Sequence, residues 1–240
     1  MTRHDQPSVS AGVVLLHGMA RTSRSLRKLE KALLASGFAT LNLDYASRKR
    51  SLEALAADIH PAIADLETRT DGPIHFVAHS MGGLLSRVYV AKYRPARLGR
   101  IVMLGTPNGG SELADLLKDL SVYRVFFGPA GLQLSTAQDA TLTSLPPLDY
   151  AVGIIAGVRT IAPISSIFIL PRPNDGRVSV QSAKLANMAD CTTIKASHTG
   201  LIRHPDAIAQ TIAFLQAGRF APAARARRRM MGTRSSGSMA

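Results

Sequence analysis

The sequence contains no tryptophan, and aromatic residues make up only 5% of it. Platforms for stacking sugar rings are therefore not suggested. Cysteine is nearly absent too. Cys191 stands alone, so no disulfide can close within the chain. Nothing around it resembles an activated thiol site, and it reads as a small buried residue. No cluster has metal-ligand spacing, so neither a metal nor an organic cofactor is expected. No run approaches the roughly 20 apolar residues of a membrane-spanning helix. Met1 to Gln6 are polar and lead into no apolar signal core. The chain as it stands reads as cytoplasmic. Acidic residues are also scarce, 16 against 29 Lys and Arg, for a net charge of +13. Much of that excess sits at the end, in Arg225, Arg227, Arg228, Arg229 and Arg234. Residues 218–240 lack the apolar periodicity of a folded segment. They are expected to form a basic, disordered tail, either simply solvated or drawn to anionic surfaces such as lipid or nucleic acid. The sequence does not specify an oligomeric state.

What remains suits one α/β domain over residues 1–217. Gly12–Leu16 is a continuous apolar run, as expected of a central parallel strand covered on both faces. Thr22 or Ser23 can cap a helix to about Ser36, with Leu26, Leu29, Leu33 and Leu34 on one face and Gly37 ending it. Ala39–Asp44 reads as a strand. Ser51 caps a helix with a stripe of Leu52, Leu55, Ile59, Ile63 and Leu66. Another strand starts at Ile74, a helix runs from Met81 to Tyr93, and a strand from Arg100 to Leu104. Strict alternation of this kind predicts a mainly parallel, doubly wound sheet with helices on both faces. About a dozen residues precede the first strand, so a compact version is expected. Ala151–Val158 and Thr192–Lys195 read as later strands, and a closing helix spans Pro205–Gln216 with Ile208, Ile212 and Leu215 inward. Residues 106–150 break the alternation. They form an insertion or cap, and Phe126, Phe127 and Leu132 within it can line a substrate pocket or simply pack a further helix.

One stretch organises the rest. Ile74-His75-Phe76-Val77-Ala78-His79-Ser80-Met81-Gly82-Gly83 reads as strand, abrupt turn, helix. Ser80 lies at the turn, with small residues two places before and after it. Such a serine sits at an unusual backbone angle where strand and helix pass closely, and bulk nearby would collide. The Ala-His-Ser-Met-Gly-Gly segment resembles the nucleophile elbow of the α/β-hydrolase family, and in particular bacterial lipases and their small-esterase relatives. Ala78 departs from the usual glycine by one methyl group. Gly105-Thr106-Pro107 after the fourth strand is similar to a lipase segment as well, although turn formers alone also account for it.

The resemblance implies a triad in the order serine, acid, histidine. Ser80, Asp175 and His198 offer that order, each after a predicted strand, the last two 23 residues apart. Their expected roles are nucleophile, orienting acid and general base. The backbone amides of Met19 and Met81 are the expected oxyanion donors. His17 and Gly18 shape the first of these loops, and His79 and Gly82 flank the nucleophile. Asp44, Asp149 and Asp139 compete weakly for the acid, as do His60, His75 and His204 for the base. The expected activity is cleavage of small-molecule or lipid carboxylic esters through an acyl-enzyme. Thioesterase, amidase or acyltransferase chemistry on the same residues stays open, as does a non-catalytic binding role.

Overall fold

The computed structural model describes residues 11–109, 145–160 and 170–222. Most of the insertion, with Phe126, Phe127 and Leu132, and the arginine-rich tail lie outside these residues.

Six strands form one sheet. They are β1 (Gly12–Leu16), β2 (Ala39–Leu43), β3 (Ile74–His79), β4 (Leu98–Leu104), β5 (Val152–Gly157) and β6 (Asp190–Ile194). All neighbouring pairs are parallel. The order across the sheet is β2-β1-β3-β4-β5-β6. The chain thus leaves β1 in one direction and returns on its other side as β3. In open parallel sheets the crevice for ligands opens beyond the carboxyl ends at such a reversal. Leu16 is level with Ala78 in the register, so the loops after β1 and β3 leave the sheet side by side.

The helices are α1 (Arg27–Ala35), α2 (Leu52–Thr68), α3 (Met81–Tyr93), the short α4 (Val180–Ala183) and α5 (Pro205–Ala217). Alternate strand residues feed two separate cores. Val14, Leu16, Phe76, Ala78, Ile101 and Met103 meet α2 and α3 on one face. Val13, Leu15, Val77, Val102 and Leu104 meet α1 and α5 on the other. Both faces are covered, which explains why β1, β3 and β5 are buried along their whole length without alternation.

The start of α1 differs from expectation. Ser23–Leu26 form a 3-10 turn before the α-helix, and Thr22 makes no side-chain cap. The Asp44 carboxylate serves instead, accepting from the Ser23 amide at 2.6 Å and the Ser23 hydroxyl at 2.8 Å. The capping group thus arrives from the end of β2. Leu34, expected on the apolar face, is 53% exposed, while Leu26, Leu29 and Leu33 are buried. One residue beyond Leu33 is about 100° further round the helix, beyond the buried stripe.

The packed structure also passes the expected boundary at residue 217. Gly218, at φ 73°, ends α5. Phe220 then folds back, buried against Phe214 with ring centres 5.0 Å apart. The Gln210 side chain accepts from the Ala221 amide at 2.8 Å and donates to its carbonyl at 2.9 Å. The Phe220 amide donates to Asp190 Oδ2 at 2.7 Å, so one aromatic and three directed hydrogen bonds order a segment that has no periodicity to read. Cys191 is only half-buried on β6, because an edge strand is covered on one side alone. Burial still raises its thiol pKa. Among the described residues no helix is long and apolar enough to cross a membrane.

Candidate active site

β3 runs directly into Ser80, and α3 begins at the next residue. Ser80 has φ 54° and ψ −127°. A non-glycine residue rarely holds positive φ, and doing so costs on the order of 1–3 kcal/mol. The surroundings leave the turn no alternative. A Cβ on Gly82 would lie 2.5 Å from the Leu16 carbonyl oxygen and 2.7 Å from that of His17. One on Gly83 would lie 2.1 Å from Thr106 Oγ1. The two glycines let α3 start against the end of β1 and against the Thr106 loop. The Ser80 amide donates to the Leu104 carbonyl at 2.9 Å, tying the turn to β4. Ser80 itself stays partly exposed.

Its hydroxyl meets a histidine delivered from the far side of the sheet. His198 Nε2 lies 3.0 Å from Ser80 Oγ, and His198 Nδ1 lies 2.8 Å from Asp175 Oδ2. With Nδ1–H facing the carboxylate, Nε2 is left to accept the serine hydrogen. Asp175 and His198 are both buried. Asp175 Oδ1 accepts from the amides of Arg177 and Val178, each at 2.9 Å. The His198 amide donates to the Asp175 carbonyl at 3.0 Å. Asp175 and His198 therefore hold each other through backbone as well as side chains.

Three residues to which the sequence reading gave no part in holding Asp175 and His198 build this pair. Asn174 Oδ1 accepts from Thr160 Oγ1 at 2.6 Å and the Gly176 amide at 3.0 Å, and its Nδ2 donates to the Pro171 carbonyl at 3.2 Å. A Cβ on Gly157 would fall 2.6 Å from Asp175 Cβ, and one on Gly105 would fall 3.1 Å from Asp175 Oδ2. The ends of β4 and β5 thus have glycine where the acid–base pair passes. No local spacing signals these contacts, since Gly157 lies within the apolar run read as a strand.

The loop after β1 borders the serine. A Cβ on Gly18 would be 3.1 Å from Ser80 Cβ and 3.0 Å from His79 Nδ1. Among the described residues, no acceptor takes the amide of Met19 or of Met81. His17 is buried and stacks on Tyr45, with centroids 4.0 Å apart and planes 7° apart. The Tyr45 hydroxyl donates to the His17 carbonyl. Burial pushes the Tyr45 pKa well up, so it stays a donor, and burial lowers that of His17, keeping the ring neutral. Ser47 Oγ accepts from the Ala20 amide at 3.1 Å. Residues after β2 thus brace the loop after β1, a second contribution that sequence order hid.

His79 joins the two halves. Its Nε2 donates to the His198 carbonyl at 3.0 Å, and its buried Nδ1 has no hydrogen-bond partner among the described residues. Burial pushes its pKa well below the ordinary value, helped by nearby His198. The weaker candidates lie apart from this cluster. Asp44 caps the turn before α1. Asp149 pairs with Arg94. His60 meets the Tyr89 hydroxyl at 3.2 Å. His75 accepts from the Arg100 amide at 2.7 Å, and His204 caps α5. Asp139 lies outside the described residues.

The family model of the α/β hydrolase fold matches residues 13–129. The chain has the α/β-hydrolase fold, and the proteins it is similar to are lipases and esterases. A stretch of 47 residues is 43% identical to a triacylglycerol lipase of Pseudarthrobacter phenanthrenivorans. That stretch is 20% of this chain and only 14% of that lipase. A Bacillus licheniformis lipase in its mature form superimposes with a TM-score of 0.71 at 18% identity, over 91% of this chain and 95% of that one. The same lipase in its propeptide form gives a TM-score of 0.70 at 19% identity, over 83% of this chain and 48% of that one. A metagenomic carboxyl esterase gives 0.68 at 20% identity, over 80% and 65%. At such identities the likeness to these structures is one of fold.

Proposed function

We propose that this α/β hydrolase cleaves carboxylic esters with Ser80 as nucleophile, His198 as general base and acid, and Asp175 as the orienting acid. The observation that carries the reading is the unbroken chain from Ser80 Oγ to His198 Nε2 at 3.0 Å and from His198 Nδ1 to Asp175 Oδ2 at 2.8 Å. The similar proteins named as lipases and esterases point to the same substrate class.

In this reading Ser80 Oγ attacks the ester carbonyl while its proton passes to His198 Nε2. The Met19 and Met81 amides receive the oxyanion. Each such donor is worth roughly 3–4 kcal/mol in other serine hydrolases. The carbon–oxygen bond to the alcohol breaks, and His198 returns the proton to the leaving oxygen. Water then attacks the acyl-serine and gives its proton to His198. Ser80 regains that proton as the carboxylic acid departs. Met81 starts α3, so its amide also carries the positive end of the helix dipole. His17 and Gly18 would set the position of the Met19 amide.

The test is hydrolysis of p-nitrophenyl esters of increasing acyl length by the parent and by Ser80→Ala. Ser80→Ala should lower turnover by roughly 10⁵-fold or more with an unchanged melting temperature. Activity surviving in that variant, together with failure of a fluorophosphonate to label Ser80 in the parent, would sink the reading. Labelling without ester turnover would redirect it to a thioester or amide on the same serine.

A further inference from the structure

Arg87 has no role in the proposed reaction, yet its placement calls for one. It lies on α3 seven residues beyond Ser80, about 10 Å along the axis at 1.5 Å per residue. Arg87, Val90 and Ala91 share one face of that helix by their spacing, and Arg94 follows directly as its C-cap. They form one wall of a cavity of about 230 Å³, and Leu145, Pro146, Pro147, Asp149 and Tyr150 form the other.

The two arginines are in different situations. Arg94 is exposed, and its Nη1 donates to both Asp149 oxygens at 2.8 and 2.7 Å. Its Nε and Nη2 hydrogens are not used in that pair. Arg87 is partly buried, and among the described residues no carboxylate, carbonyl or hydroxyl accepts from it. Burial lowers its pKa but leaves a guanidinium charged, since these groups keep their proton throughout the accessible range. A desolvated cation without an acceptor is costly, and an anion that supplies several oxygens removes the cost. Tyr150 adds a neutral phenol on the opposite wall, its ring centre 5.9 Å from Arg94 Cζ. The volume is below the roughly 300 Å³ at which sites for larger ligands begin, so it suits a small group.

We propose that this cavity binds a phosphate group, with the free fork of Arg87 as its main anchor and the spare hydrogens of Arg94 as the second. A guanidinium presents parallel N–H donors that match phosphate oxygens in pairs. A tetrahedral dianion can engage both arginines at once, while one carboxylate, Asp149, already occupies part of Arg94. The bound group is either a small phosphorylated molecule or the headgroup of a phospholipid, and the two share this chemistry. The site is separate from Ser80 and stands whether or not ester cleavage is the activity.

Inorganic phosphate is the first probe. It is titrated into the full-length protein at constant ionic strength, with heat of binding and melting temperature as readouts. A saturable response is expected, weakened about tenfold or more in Arg87→Gln, in line with the loss of charge-assisted hydrogen bonds, and less in Arg87→Lys. An equal response in parent and Arg87→Gln would place the phosphate on other basic residues and overturn the proposal, as would no response in the parent. Acetate is the counter-probe, and a response to it as strong as to phosphate would overturn the choice of anion. Without phosphate, Arg87→Gln should melt no lower than the parent. A lower melting temperature would mean that Arg87 already has a partner, which also defeats the proposal. Sedimentation with phosphatidylcholine vesicles containing phosphatidic acid separates the sources. Arg87-dependent pelleting assigns the headgroup. Phosphate binding without it assigns the free anion.

Discussion

The turn at Ser80 and the loops of Asp175 and His198 meet within 3.0 Å at Ser80 and His198, yet they are held by opposite means. The turn at Ser80 is maintained by lack of space. Gly82 and Gly83 are pressed on Leu16, His17 and Thr106, and any added atom would collide. The loop at Asp175 is maintained by directed bonds. Asn174 and Asp175 collect amide, hydroxyl and carbonyl partners from Thr160, Pro171, Gly176, Arg177 and Val178. Packing tolerates no additions, whereas a hydrogen-bonded loop tolerates no deletions. The first region should therefore break when volume is added, and the second when an acceptor is removed.

The largest expected effect is on the bonded side. Asp175→Asn keeps the shape but changes which partner the His198 ring can face, and turnover should fall by roughly 10⁴-fold with little change in melting temperature. Steady-state kinetics on a p-nitrophenyl ester measures this. Near-normal turnover would take the acid role away from Asp175.

The packed side should be the acid-sensitive one. Burial lowers the pKa of His75 to about 4, and burial also lowers those of His17 and His79. The folded form refuses protons that the unfolded chain takes up near 6.5. Stability from these groups is therefore intact above about pH 6.5 and is lost as pH falls toward 4. For His75 alone the loss is on the order of 3 kcal/mol. Denaturant unfolding of the parent and His75→Gln between pH 7 and 4 should show a shallower decline in the variant. Parallel declines would remove His75 as a source of acid sensitivity.

Gly82→Ala is the direct test of crowding. The new methyl meets two backbone carbonyls that cannot rotate away. It should destabilise by about 1–3 kcal/mol and depress kcat with it, read by thermal melting and kinetics together. A variant as stable and active as the parent would refute the steric account. The smallest effect belongs to Asn174→Ala, which should cost about 1–2 kcal/mol and lower kcat more than it changes KM. An unchanged kcat would mean that the loop holds Asp175 without Asn174.

The packed side was the more legible of the two. Short-range pattern reveals it, because the small residues that the turn needs are neighbours of Ser80 in the chain. The alternation of apolar runs and helical stripes likewise foretold the parallel sheet, since burial on both faces writes a continuous apolar signature. The bonded side was legible only by order, as an Asp-Gly turn and a histidine after late strands. Asn174, Gly105 and Gly157 act on partners distant in sequence, as Tyr45 and Asp44 do for the loop after β1. No local spacing announces such contacts. The cap from Asp44 to Ser23 and the return of Phe220 onto α5 were missed for the same reason.

The sequence by itself determined the elements and the turn at Ser80, because periodicity and steric need act between neighbours along the chain. The tertiary structure alone decided which carboxylate faces His198, what braces the His17 loop and which arginine is left without an acceptor among the described residues. Each of these depends on strands that become adjacent only when the sheet assembles, where burial and hydrogen bonding select among several similar side chains.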